Sequence, residues 1–521
     1  MKLVIVHNHY RPGGVRRVIE LATPWLVRGL RPPIREIVLA GGEPPPACWQ
    51  RHFQAQVDPV PVHCRSEPAF GYLAEQTGRT TSLAKRIALF LESLLQSMED
   101  GPVVIWAHNQ GLGRNLLLTR ELTRAAGREG VRLVFHHHDW WFDNRWQRWP
   151  EMRRHGTRTL HQAARIIFPP SPHVRHLAIN HADAKVLARH FHARSAWVPN
   201  PGTKNSRPSR QALARTRHWL RREIRHDGPV WLMPCRLLRR KNIAEALLLT
   251  RWLRPEAWLV TTGGVTSREE QNYAERLREA ARVHRWPLRL ALLHQREARA
   301  PSLDELLGAS EAILLTSLQE GFGLPYLEAA AAGVPLIARE LPNIAPDLRQ
   351  AGLRFPQSYR EVWVDSALFD WDRETHRQRR LFQQWRAGLP EPCRPQAGLP
   401  LLLAGGSQPR PVPFSRLTLT AQLEVLAHPP EASFAACAPL NPWLLSWRRR
   451  AASRTLRVSA WSARADRWFG AAAFVRRFSK VLGAGGSRLL NSSGGEQAQA
   501  EFIRQKLRSE NLYPLTWRPQ T

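Results

Sequence analysis

Ala312-Ile-Leu-Leu-Thr-Ser317, followed after two residues by Glu320-Gly-Phe-Gly-Leu-Pro-Tyr-Leu-Glu328, decides how this chain is read. The first run is short and mostly apolar, as a strand buried on both faces must be. The second spreads two carboxylates across a glycine-rich turn. Gly321 and Gly323 let the backbone approach a ligand closely, and Pro325 suits a first helical turn. The alanines from Ala329 to Ala332 carry a helix until Gly333 and Pro335 stop it. Amides at such a helix start favour negative charge, while Glu320 and Glu328 can accept hydrogen bonds from hydroxyl groups. Strand, glycine turn and helix in that order form a socket for a sugar nucleotide.

The same alternation extends outward in both directions. Upstream, strands are expected at Val230 to Met233, Trp258 to Thr262 and Leu288 to Leu293, with helices at Ile243 to Leu253 and Glu269 to His284 between them. At the start of the chain, Leu3 to Val6 reads as a strand, His7 to Gly14 as its loop, and Val15 to Val27 as a helix. Further strands are expected at Val103 to Trp106, Val131 to His136 and Arg165 to Phe168, with a helix at Asn115 to Ala126. Such order predicts doubly wound parallel sheets, whose ligands lie beyond the carboxyl ends of the strands. Val198-Pro-Asn-Pro-Gly202 reads as the connection between two blocks, because Pro and Gly break both element types. The expected division is a first domain over 1–197, a second over 198–387, and an extension over 388–521. That extension opens with a Pro/Gly-rich linker and continues as basic, partly helical chain.

The 521 residues hold 76 Lys+Arg against 43 Asp+Glu, a net charge of +33. A field of that sign attracts nucleotide sugars, anionic lipid headgroups and nucleic acid alike, so charge alone selects none of them. Residues 441–521 carry 15 Lys+Arg and 4 Asp+Glu. Within them Trp468, Ala472, Val475, Phe478 and Leu482 recur at helical spacing, which fits a helix docked on the body better than one lying on anionic lipid. Five cysteines without a Cys-x-x-Cys pair argue for a reducing compartment. The apolar start is too short for a signal-peptide core, and no stretch reaches the length of a membrane span. The expected location is cytoplasmic, with a peripheral position on the inner face of the membrane as an extension of that reading.

The stretch from Glu320 to Glu328 resembles the signature of the retaining glycosyltransferases of family 4, such as glycogen synthase and the phosphatidylinositol mannosyltransferases. The resemblance implies the GT-B fold of two Rossmann-like domains. It also implies that Glu320 contacts the transferred sugar and Glu328 the ribose, with the amides of Gly321, Phe322, Gly323 and Leu324 at the donor. Arg236 and Lys241 match the family's paired cations, which stabilise charge on the departing diphosphate. Cys235 stands where the family usually has glycine. Gly13 and Gly14 resemble the N-terminal glycine loop at the acceptor side. In His136-His-His138-Asp139, the resemblance assigns contact with the reacting sugar to His138, with His136 as the second choice and Asp139 as the partner that fixes the tautomer.

No metal is expected at these three histidines, because neighbours on a strand alternate faces. Trp140, Trp141, Phe142, Trp146 and Trp149 either stack on an acceptor or close the core.

The activity implied is that of a metal-independent retaining hexosyltransferase. It would move sugar from a nucleotide-diphosphate donor to a hydroxyl on a glycan, glycolipid or polysaccharide precursor, with no cofactor beyond that co-substrate. The alternatives are a GT-B epimerase or phosphorylase, and a non-catalytic basic protein that binds lipid or nucleic acid on the same scaffold. Partners are the donor, a glycan or lipid-linked acceptor and an anionic membrane surface met by the basic tail; nucleic acid is not expected.

Overall fold

A computed structural model of the chain describes residues 1–95, 101–128, 131–202, 208–265, 270–294, 300–406, 408–483 and 493–517. The chain forms two compact units.

Unit 1 comprises 1–202, 388–396 and 466–506. Its sheet contains β1 (Lys2–Val6), β2 (Glu36–Gly41), β3 (Val62–Ser66), β4 (Val103–His108), β5 (Val131–His137), β6 (Val174–Ala178) and β7 (Ser195–Trp197). They lie in the order β3-β2-β1-β4-β5-β6-β7, every pair parallel. The strand order reverses between β1 and β4, which makes that point the natural ligand crevice of the unit. One face of the sheet, with Val4, Val38, Ile105 and Leu133, packs on apolar residues of the helices Thr80–Leu95 and Leu116–Ala125. The other, with Leu3, Ile5, Ile37 and Trp106, packs on the helices Gly14–Gly29 and Ala471–Gly483. Burial on both faces is why these strands read as unbroken apolar runs.

Unit 2 comprises 203–387, 397–465 and 507–521. Its six strands are β8 (Val230–Met233), β9 (Trp258–Thr261), β10 (Leu288–Arg289), β11 (Ala312–Leu315), β12 (Leu336–Arg339) and β13 (Gln357–Tyr359). Their order is β10-β9-β8-β11-β12-β13, again all parallel, with the reversal between β8 and β11.

Two expectations are corrected. Arg165 to Phe168 is not a strand. Residues Leu160–Ile167 are helical, started by a capping box in which Thr159 and Gln162 satisfy each other's backbone N–H groups, and the strand follows at Val174. The chain beyond 387 is not a separate extension either, since its segments are divided between both units. Helix Gly494–Lys506 supplies Phe502, which packs on Trp140, Phe142 and Phe168 in unit 1 at 4.9, 5.6 and 6.2 Å between ring centres. The Pro/Gly-rich linker carries short helical turns at Glu391–Gln396 and Leu401–Ala404. The helix expected from Glu269 is seen over Gln271–Val283; Glu269 itself lies outside the described residues.

The aromatic run Trp140, Trp141, Phe142, Trp146 and Trp149 is buried, at most 8% exposed, and closes the core. Of the tail stripe, Phe478 and Leu482 are buried, Trp468 and Val475 partly so, and Ala472 is exposed. The stripe breaks at Gly470 into two helices, and Phe474, Phe478, Val481 and Leu482 face the unit 1 core while Arg476 and Lys480 remain exposed.

Candidate functional site

At the reversal point of unit 2, the loop after β8 and the loop after β11 bring charges together. A short turn, Arg239–Lys241, follows β8, and the carbonyl of Arg240 accepts from the amide of Leu318 at 2.8 Å, tying one loop to the other. The Thr316 hydroxyl donates to the Lys241 and Asn242 carbonyls at 3.1 and 3.0 Å. These backbone links hold Lys241 against Glu320, whose carboxylate accepts from the ammonium. Arg240 Nη1 donates to the same carboxylate at 3.0 Å and to the Gln319 carbonyl at 2.8 Å. Ser317 Oγ donates to Glu320 Oε1 at 2.6 Å, and Asn343 Nδ2 to the Glu320 carbonyl at 2.9 Å.

Glu320 is 8% exposed. Burial alone would push its carboxyl up, but Lys241, Arg240 and the hydrogen bonds outweigh that and bring it down to about 2. It is therefore a carboxylate, an acceptor of hydrogen bonds only, throughout the neutral range. Burial pushes the neighbouring Cys235 thiol up to about 12, which leaves it an inert wall of the site.

Helix Leu324–Ala332 starts at Gly323, whose φ of 78° lies in the left-handed region. A Cβ there would sit 3.1 Å from the Tyr326 ring, so both conformation and space call for glycine. The helix ends at Gly333, also left-handed with φ 68°, where the sequence predicts its stop. Gly321 and Leu324 are partly exposed and Phe322 is buried; Glu328 lies partly buried, one turn into the helix. Arg236 is partly exposed on the loop after β8, its stem against Gly263, where a Cβ would come within 3.1 Å of Cγ.

Sequence reasoning missed Arg240, Ser317 and Asn343. The first was visible only as one more arginine in Arg236-Leu-Leu-Arg-Arg-Lys241, and nothing in that string shows which of them meets Glu320.

In unit 1, Gly13 caps the helix Gly14–Gly29, and a Cβ at Gly14 would meet nothing within 4 Å. That space lies at the carboxyl end of β1. At the ends of β4 and β5 the histidines divide between two faces. His137 turns to the core, stacked on Trp140 at 4.4 Å and hydrogen-bonded to His176 at 3.1 Å. His136 and His138 share the other face with His108 of β4, and His108 Nδ1 lies 3.0 Å from His138 Nε2. Strand alternation separates His137 from its neighbours, as expected, but it says nothing of a histidine arriving from the next strand. Asp139, expected to fix the tautomer of His138, forms an ion pair with Arg145 at 3.1 Å, and the His138 tautomer is linked to that of His108. Burial is the main cause holding His138 and His108 well below the usual imidazole range, with neighbouring histidines adding to it.

Residues 219–352 match the family described as Glycosyl transferases group 1, a span that takes in Arg236, Arg240, Lys241, Ser317, Glu320, Glu328 and Asn343. Among solved structures, Anabaena Alr3699/HepE in complex with UDP-glucose superposes with a TM-score of 0.51 at 13% identity, over 92% of this chain and 99% of that one. The chain has the GT-B fold. Two curated relatives of this GT-B protein are similar in sequence. One is a mannosylglucosyl-3-phosphoglycerate synthase of Petrotoga mobilis, 23% identical over 65% of this chain and 65% of the relative. The other is a mannosylglucosylglycerate synthase of Thermotoga maritima, 27% identical over 50% of this chain and 62% of the relative. The matches thus span just under two thirds of either relative's length. No described helix is long and apolar enough to cross a membrane.

Proposed function

We propose that this GT-B protein is a retaining glycosyltransferase of the family 4 type, moving a sugar from a nucleotide-diphosphate donor to a hydroxyl acceptor. The observation that carries the reading is the joint contact of Lys241 and Arg240 with Glu320 at the reversal point of the unit 2 sheet, inside the segment that matches the glycosyltransferase family. The bound UDP-glucose of the Anabaena protein and the glycosylglycerate products named for the two relatives agree with a nucleotide-sugar donor.

In this reading the ionised Glu320 accepts hydrogen bonds from the donor sugar, and Glu328 from the ribose. The bond from the anomeric carbon to the diphosphate oxygen breaks while the acceptor oxygen bonds to the same face. The acceptor proton passes to the departing phosphate. Arg236 and Lys241 would stabilise the charge that develops there, the role a divalent ion fills in other glycosyltransferases. The family resemblance assigns contact with the reacting sugar to His138 and the acceptor side to Gly13 and Gly14. Arg476 and Lys480 are among the exposed cations through which the tail would meet an anionic membrane surface.

Release of nucleoside diphosphate from a panel of nucleotide sugars, with and without alcohol acceptors, tests the proposal. Lys241→Ala is expected to lower kcat by about 100-fold or more with an unchanged circular dichroism spectrum. Wild-type turnover in that variant would remove the leaving-group assignment. Turnover without an acceptor would point to a different reaction on the same fold.

A further inference from the structure

The histidines beyond β4 and β5 have a geometry that the transferase reading does not use. Across the β4–β5 ladder His108 lies directly opposite His136, so their side chains share a face, and His138 two residues on shares it too. One ring nitrogen from each of the three lies within 4.8 Å of the other two. The rings are 0%, 0% and 7% exposed for His108, His136 and His138.

Their hydrogen bonds are few for three buried rings. His136 Nε2 is 3.0 Å from the Val198 carbonyl, which can only accept. Nε2 therefore carries the proton and Nδ1 keeps its lone pair, the arrangement in which an outer carbonyl orients a metal-binding imidazole. That Nδ1 accepts a long hydrogen bond, 3.3 Å from the Trp106 indole N–H, which an ion would displace. His108 and His138 satisfy one hydrogen bond between them, and His108 Nε2 is buried without a partner among the described residues.

We propose that His108, His136 and His138 form a binding site for one divalent cation of the borderline class, of which Zn²⁺ is the type, with a fourth coordination position left open. Nitrogen donors alone select Zn²⁺, Co²⁺, Ni²⁺ or Cu²⁺ over Mg²⁺ and Ca²⁺, which take oxygen ligands. With Zn–N bonds of about 2.0–2.1 Å, tetrahedral ligand nitrogens lie about 3.4 Å apart. The His108–His138 pair at 3.0 Å is already that close, and the third ring needs to draw in by up to about 1.4 Å, giving up its long hydrogen bond from Trp106. The site lies beside the reversal point of the unit 1 sheet, where parallel sheets take their ligands. It draws on the same His138 nitrogen that a sugar contact would use, so an ion there and a direct sugar contact through Nε2 are alternatives.

The test is metal content of the full-length protein, equilibrated with Zn²⁺ and passed over a chelating resin, so it needs no turnover and stands apart from the transferase reading. Wild type is expected to retain about one Zn²⁺ per chain, and the exposed-histidine control His63→Asn the same, whereas His108→Asn binds at least about tenfold more weakly. Wild type emerging without zinc, or His108→Asn retaining it equally, overturns the proposal. Should His108→Asn fail to fold, the visible spectrum of Co²⁺-loaded wild type decides. An intense tetrahedral spectrum supports the site, and a weak octahedral spectrum overturns it.

Discussion

Glu320 owes its state to neighbours from another loop, and that dependence can be measured. Arg240→Ala removes one of its two cationic partners while leaving Lys241 in place. The acidic limb of the kcat/KM profile is then expected to move upward by roughly one pH unit. A purely structural role for Arg240 would instead lower activity equally at every pH. His176 offers a second test. Burial, helped by Arg175, lowers its pKa from 6.5 to about 3 in the folded protein. The unfolded chain binds the extra proton between those values, so the stability His176 contributes is complete above pH 6.5 and falls as the pH drops towards 3. His176→Asn is expected to flatten unfolding free energy against pH by up to one proton, about 1.4 kcal/mol per pH unit, in denaturant titrations over that window. Glu320 and Lys241 were legible because each sits in a contiguous string whose residue types already suggest chemistry. Arg240 and His108 were not, since what distinguishes them is the partner each meets, 80 and 30 residues away.

Elements were legible where one local rule dominated. Gly323 and Gly333 bound a helix through left-handed residues, and Asn115 caps the helix that follows it, its Oδ1 accepting from the Leu118 amide at 3.0 Å while its Nδ2 donates to the Ala69 and Gly71 carbonyls at 2.8 Å. Reading failed at Arg165 to Phe168 because four apolar-rich residues suit either a buried strand or the inner side of a helix. The deciding signal stood upstream, in the Thr159 and Gln162 capping box. Helix Gly494–Lys506 shows how far tertiary contacts govern an element. Gln499 Nε2 donates to the Leu160 carbonyl at 2.9 Å, Lys506 pairs with Asp143 at 2.7 Å, and Phe502 is fully buried among unit 1 aromatics. Phe502→Ala is expected to cost about 3–5 kcal/mol, read as a lowered urea midpoint, because it opens a cavity between Trp140, Phe142 and Phe168.

For the molecule as a whole, the two alternating blocks were legible from strand and helix period alone, whereas the destination of the tail was not. Its spacing reads as a helix docked on the body, but only the packed structure shows that the docking is on the core of unit 1. A chain ended at Ala387 would lack Phe474, Phe478, Val481 and Leu482 from that core, leaving Leu26 and Trp106 without their cover. It is expected to aggregate on expression, or to bind a hydrophobic dye strongly where the full chain does not. The backbone passes from one unit to the other at 202/203, 387/388, 396/397, 465/466 and 506/507. Neither half is therefore encoded by an uninterrupted stretch of gene. Recombination that swaps one half for a homologue's, by a single join near residue 202, would graft a foreign body onto a native tail cut to fit the original; a working chimaera requires the matching tail segments to travel with their half.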